Sequence, residues 1–182
     1  YFKKSENHQG IKSKYHNAGG ELHVDFSPYY SPPTQNFIKA CEINGIPFNQ
    51  DYNGETQEGA SFLQYTIKHK KRQSTYEAFL KPISARNNLK TRTGAQVKRI
   101  LIKDGVAKGV EIFTGKTTTE TVYCTKEVIL CAGAIQSPQM LKVSGIGNKE
   151  ELQRLGIESI HHLPGVGENL KDHIWTGTSD YS

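Results

Sequence analysis

Cysteine is scarce: the 182-residue chain holds three, Cys41, Cys124 and Cys131. Three unevenly spaced thiols cannot build a disulfide framework, and no C-x-x-C or paired Cys/His spacing signals zinc or another metal site. The redox state of the compartment stays open. Long apolar runs are also missing. Nothing approaches the roughly 18 consecutive apolar residues of a spanning helix, and no basic segment followed by about 7 to 15 apolar residues opens the chain as a secretory leader. The first residue is Tyr1 rather than Met. The expectation is therefore an internal piece of a longer polypeptide, for which a missing leader says nothing about location. N-x-[ST] acceptor sites do not occur, which leans weakly against a glycosylated surface. Nor does any G-x-G-x-x-G follow a strand, the turn that seats a dinucleotide pyrophosphate at a helix N-terminus.

What is present suffices for one good core or two small ones, with 35% hydrophobic residues. The net charge is +5, and the basic residues cluster most visibly in KHKKR, Lys68 to Arg72. Aromatic content is ordinary and no nucleic-acid module accompanies the run, so a solvated surface loop is the expectation and nucleic acid is not an expected partner.

Two styles of chain follow one another. Up to about Arg72, turn clusters such as SPYYSPP and DYNGETQEG surround a strand pattern, ELHVDFS, that alternates Leu22, Val24 and Phe26 against His23 and Asp25. The helical signal TQNFIKACEINGIP has Thr34 as a cap, Phe37, Ile38 and Cys41 on one face, and Asn44-Gly45 as a stop. Ser74 and Glu77 form an S-x-x-E capping box ahead of a short helix that Pro82 ends. Beyond Asn88 the pattern is strand after strand. Asp104-Gly105 predicts a type I′ hairpin, and a second turn is expected at Gly115-Lys116. Val128 to Ala132, apolar without alternation, predicts a strand buried on both faces of a parallel sheet. Ser137 then predicts a helix N-cap with Pro138 in the first helical position. Asn148 and Glu151 predict a second cap, with Leu152 and Leu155 inward and Gly156 as the stop.

Strand, glycine corner and helix form a unit in which Gly133 marks a candidate ligand site. Ligands of open α/β sheets sit at the carboxyl ends of strands, and glycine lets main chain approach them closely. On that basis alone the chemistry has no name. The histidines do not supply one, since His8, His16, His23 and His69 show no useful spacing and adjacent His161 and His162 point apart on a strand.

The stretch GAIQSPQMLKVSGIG, Gly133 to Gly147, resembles the second signature of the glucose-methanol-choline (GMC) family of FAD-dependent oxidoreductases. LPGVGENLKDH is similar to that family's next block, and LHVDFS, DYNGETQEG, STYEAFLKP and NLKTRTGAQVKRI fall in the family's order. The flavour is that of the insect glucose dehydrogenase-like branch. The resemblance implies a mixed α/β (α+β) fold. Residues 1–71 would be part of an antiparallel-sheet substrate domain, and 72–182 part of a Rossmann-like FAD-binding domain. It implies FAD as cofactor and an alcohol or sugar as substrate, oxidised by hydride transfer to the flavin, with oxygen, a quinone or a dye as electron acceptor. A secreted location is favoured by the resemblance alone.

Carried over position by position, Val97 matches the family valine whose main-chain N–H and C=O bind adenine. Ala132 and Gly133, with Ser137, match the strand end that lies against the adenosine-pyrophosphate half. No catalytic residue is assigned, because the family's catalytic histidine lies in a C-terminal segment; His173 in KDH, beside Trp175, is read as structural. The chain alone is expected to be inactive. Two other readings stay open: a catalytically silent relative serving as a binding or developmental protein, and, weaker, a nicotinamide-dependent enzyme using the Gly133 corner.

Overall fold

The computed structural model describes residues 1–174. They fall into two compact units, Tyr1–Thr91 and Arg92–Ser182, the second described as far as residue 174. Helices and strands are mixed in both, the α/β class expected. Among the described residues no helix is long and apolar enough to cross a membrane.

The first unit begins with a single helical turn, α1 (Phe2–Ser5), and strands β1 (Glu6–His8) and β2 (Leu22–Phe26). Helix α2 (Pro32–Ile43), the two-residue strands β3 (Gln64–Tyr65), β4 (Ile67–Lys68) and β5 (Lys71–Arg72), a π-turn at Tyr76–Leu80 and a 3-10 turn at Lys81–Ile83 follow. Strand β2 is the centre of a small mixed sheet, parallel to β1 and antiparallel to β3. Its alternation does not become an inside and an outside, since every residue from Leu22 to Phe26 is half-buried. Neighbours only two or three residues long cover too little of either face. Helix α2 is capped by Ser31, whose Oγ accepts from Thr34 N, rather than by Thr34 itself. Pro32 and Pro33 explain the shift, because their missing N–H groups and fixed φ suit a first turn. Ile38 is buried but Phe37 is 62% exposed, so the apolar face is narrower than its periodicity predicts. The helix stops as expected at Asn44, with Gly45 at φ +82°. Half of the capping box forms: Ser74 Oγ accepts from Glu77 N, while the Glu77 carboxylate turns to Lys81 Nζ at 3.0 Å.

The second unit is built on a meander of β6 (Gln96–Lys103), β7 (Val106–Phe113) and β8 (Thr119–Tyr123), each antiparallel to the next. The β6–β7 turn is the expected type I′, with φ of +53° at Asp104 and +73° at Gly105. Helix α3 (Gly133–Val143), β9 (Ile146–Gly147), α4 (Lys149–Arg154) and β10 (His161–His162) complete it, β9 and β10 pairing in parallel. The Asn148 cap is present, its Oδ1 accepting from Glu151 N at 3.0 Å. The Glu151 carboxylate reaches Lys142 Nζ at 2.8 Å instead of turning back to the cap. Leu152 is fully buried, whereas Leu155 is 63% exposed.

Two expectations near the candidate site are corrected. Val128 to Ala132 pairs with no strand, and Ile129 is 75% exposed. An apolar run becomes a buried strand only where neighbours take up its N–H and C=O groups, and among the described residues none runs beside it. Ser137 is not an N-cap: α3 starts at Gly133, so Pro138 lies inside the helix. Ser137 Oγ nevertheless serves the helix start, accepting from Ala132 N at 3.1 Å.

Candidate functional site

The second unit contains a groove of about 550 Å³ between the β6–β7 face, the 128–132 segment and α3. Val97 and Ala132, matched from separate stretches of sequence, both line it. Gly133 and Ser137 follow directly on the Ala132 wall, and the Ser137 hydroxyl fixes the Ala132 amide. Val97 lies on β6, an edge strand of the meander, and pairs with Ile112 where the register shifts before Arg99. An edge strand keeps one row of backbone donors and acceptors for other partners. One of these is already used: Ile100 N donates to Ser144 Oγ at 2.8 Å, and that hydroxyl donates to Met140 O at 2.6 Å. Ser144, buried at the end of α3, thereby ties the helix to β6 and sets the width of the groove.

Gly133 has φ +87°, and a Cβ placed there would meet no protein atom within 4 Å. The glycine is required by backbone conformation, since a β-branched residue is strongly disfavoured at positive φ. Among the described residues nothing faces the space its missing side chain leaves.

The groove walls are mainly aliphatic. Gln96, Gln136 and Gln139 supply polar groups with no side-chain hydrogen bond among the described residues, and Gln136 and Gln139, three apart on α3, share a helix face. Among the described residues Lys98 is the one titratable residue lining it, and its ammonium is held by Glu111 at 3.1 Å. Glu111 also accepts from Arg99 Nε at 2.7 Å and from the Thr119 hydroxyl at 2.8 Å. Those partners, Thr119 first and Lys98 next, pull its carboxyl from 4.5 down to about 2. The groove thus has the makings of a binding surface for a flat, partly apolar molecule, and no acid–base pair points into it.

The first unit holds a titratable cluster that residue spacing did not reveal. His16 Nδ1 donates to Glu6 Oε1 at 2.8 Å and its Nε2 donates to Asp51 Oδ1 at 2.9 Å. Two carboxylates facing both nitrogens favour the protonated ring. Burial works to lower its pKa, but the hydrogen bonds and charges of Asp51 and Glu6 outweigh this and raise it. His8 packs edge-on to it at 4.6 Å between centroids. His8 Nδ1 accepts from Gly10 N and Ile11 N, so its Nε2 carries the proton and donates to Gln64 Oε1 at 3.1 Å. Glu6, His8 and His16 come within 4.8 Å of one another through groups a metal could use. Every ring nitrogen is already committed to a hydrogen bond. The signal was unreadable along the chain because Asp51 is 35 residues from His16. His173 is exposed, its Nδ1 facing Ile174 O at 3.0 Å, and Trp175 lies outside the described residues.

Comparison with known proteins adds a family match: the model described as GMC oxidoreductase covers residues 1–175. The chain is 41% identical over 174 residues to a mitochondrial choline dehydrogenase of Homo sapiens, covering 96% of this chain and 29% of that protein. It is 42% identical over 176 residues to an alcohol dehydrogenase [acceptor] of Pseudomonas putida, covering 95% and 32%. A glucose dehydrogenase [FAD, quinone] of Drosophila pseudoobscura pseudoobscura is 38% identical over 179 residues, covering 96% and 28%. The chain therefore spans about 30% of the length of these relatives. Among solved structures, an FAD-dependent oxidoreductase from Chaetomium thermophilum superposes with a TM-score of 0.84 at 27% identity, covering 90% of this chain and 31% of that one. Pyridoxine 4-oxidase from Mesorbium loti gives 0.81 at 29% identity, covering 90% and 32%.

Proposed function

The chain belongs to the GMC oxidoreductase family, and on that premise we propose that it is an internal part of an FAD-dependent enzyme oxidising CH–OH groups. The observation that carries this reading is the shared groove: Val97 and Ala132, distant in sequence, line one cavity, and Gly133, the residue after Ala132, adopts φ +87°. These residues fit a flavin nucleotide. The edge-strand main chain at Val97 would take the adenine, and Ala132 and Gly133 would lie under the adenosine-pyrophosphate half, where a Cβ at Gly133 would intrude. Ser137 contributes by holding the Ala132 amide in place. Bound FAD would supply the hydride acceptor; Val97, Ala132 and Gly133 would hold it, and the aliphatic groove walls would exclude water from it. Removal of the substrate's hydroxyl proton would fall to another segment of the whole protein.

The relatives are named for choline, glucose and alcohol, which supports a small alcohol or sugar as substrate of the whole protein and an acceptor such as oxygen, a quinone or a dye. We assign 1–71 to part of the substrate-binding domain and 72–182 to part of the FAD-binding domain. The test is flavin content in the purified full-length polypeptide. Gly133→Val should abolish flavin retention, while circular dichroism shows the protein still folded. A folded Gly133→Val protein with flavin at the wild-type ratio would overturn the assignment.

A further inference from the structure

The run KHKKR becomes the hairpin β4–β5, and its construction is costly. Lys68 and Lys71 face each other directly across the two strands, a pairing of like charges that destabilises a hairpin. The two turn residues, His69 at φ +51° and Lys70 at φ +62°, occupy the left-handed region without being glycine or asparagine, where a two-residue hairpin turn ordinarily has Asn-Gly. Among the described residues Lys68, Lys70, Lys71 and Arg72 make no ion pair. A solvated loop would have no need of this arrangement, and such local strain persists where the surroundings use it.

The hairpin is also one side of a cleft of about 700 Å³, within the size range of small-ligand sites. Lys68, Lys71, Arg72 and Lys81 line it, together with His69 and a single carboxylate, Glu77, which is spent on Lys81 at 3.0 Å. The excess of positive charge reaches beyond the cleft. Burial, and then the charges of Lys68 and His69, push the His23 imidazole below its usual pKa.

We propose that this cleft binds a phosphate-bearing anion, with Lys68 and Lys71, paired across the hairpin, as the point charges that hold it and Arg72, next along β5, adding to the positive field at its wall. The lysine ammonium groups supply charge and donors with free rotation. The bound anion offsets the Lys68–Lys71 repulsion that the hairpin otherwise carries. The proposal stands apart from the flavin groove, since none of these residues lines it.

The full-length polypeptide would be titrated calorimetrically with inorganic pyrophosphate at low and moderate salt. In parallel it would be sedimented with phosphatidylcholine vesicles with and without phosphatidic acid, so that a soluble phosphate and a lipid headgroup are told apart. Saturable binding in at least one arm is expected, weakening as salt rises. Lys71→Gln/Arg72→Gln should weaken it about tenfold or more with the melting temperature unchanged or raised. Arg72→Lys, which keeps the charge and guards against a folding artefact, should weaken it less. Absence of binding in both arms would overturn the proposal. So would equal weakening by Lys12→Gln/Lys39→Gln, which removes as much charge elsewhere in the same unit.

Discussion

The two compact units bury different chemistry. In Tyr1–Thr91 the buried set includes His8, His16 and Gln73 beside Ile38, Ala60 and Ala78, whereas Arg92–Ser182 buries Ile100, Ile112, Leu152 and Val166 with Ser144 as its buried polar side chain. Short strands and long loops cannot bury enough apolar surface to fix themselves. The first unit therefore uses directional bonds that reach across sequence: His16 joins β1 to the Asp51 turn, and Gln73 joins β2 to the chain after β5 through His23 N and Glu21 O. The second unit has eight-residue strands and a helix to cover them, and its polar bonds adjust packing already in place. The difference teaches where each unit is vulnerable: the first to loss of charge balance, the second to loss of volume.

His16→Ala should have the largest effect on the contrast. The His16 side chain is 5% exposed, and its removal leaves the Glu6 and Asp51 carboxylates facing each other in a site largely closed to water. Breaking a buried pair from one side costs roughly 3–5 kcal/mol, read as a shift in the denaturation midpoint of the full-length protein. Leu152→Ala, at a fully buried position, should cost about 2–5 kcal/mol through lost transfer energy and cavity. Hydrogen exchange should place the first loss among amides of the first unit and the second around α4. Loss of protection in both units from either substitution would erase the distinction. Ser144→Ala should cost less, about 1–3 kcal/mol, by orphaning the Ile100 amide, and should widen the groove at the end of α3.

Acid and base should separate the units by smaller amounts. The folded pKa of His16 is raised above 6.5, so its contribution is fully present below about that pH and is lost as pH rises through the folded value. Glu111 is depressed to about 2 from 4.5, so its contribution is present above the ordinary value and is lost as pH falls through about 2. Mild alkali should loosen amides of the first unit while those of β6 and β7 hold. A first unit whose amide protection stays flat as pH rises through neutral would show that the folded pKa of His16 is not raised.

What the sequence disclosed follows the range of the forces involved. The Asp104-Gly105 turn, the Asn148 cap and the Gly45 stop were legible because each is set within a few residues. The His16 clamp was not, because its two acids arrive from different loops. Val128 to Ala132 reads as a core strand by composition, yet pairing is a property of neighbours. Ser137 was identified as a helix-start residue but assigned the wrong geometry. Its hydroxyl works from inside the helix because Gly133, with its left-handed φ, lets α3 begin before Pro138. For the groove, position matching marked Val97 and Ala132; Gln136 and Gln139 were missed, because the helix was expected to start at Pro138 and only the earlier start at Gly133 puts the two on one helix face.

The central claim is that the edge-strand main chain at Val97 holds the flavin nucleotide. It is tested most directly by the flavin-to-protein ratio of two full-length variants. Val97→Ile leaves the backbone intact and should retain FAD at the wild-type ratio, while Val97→Pro removes the N–H and should lose it. Equal flavin content in the two folded variants would contradict the account.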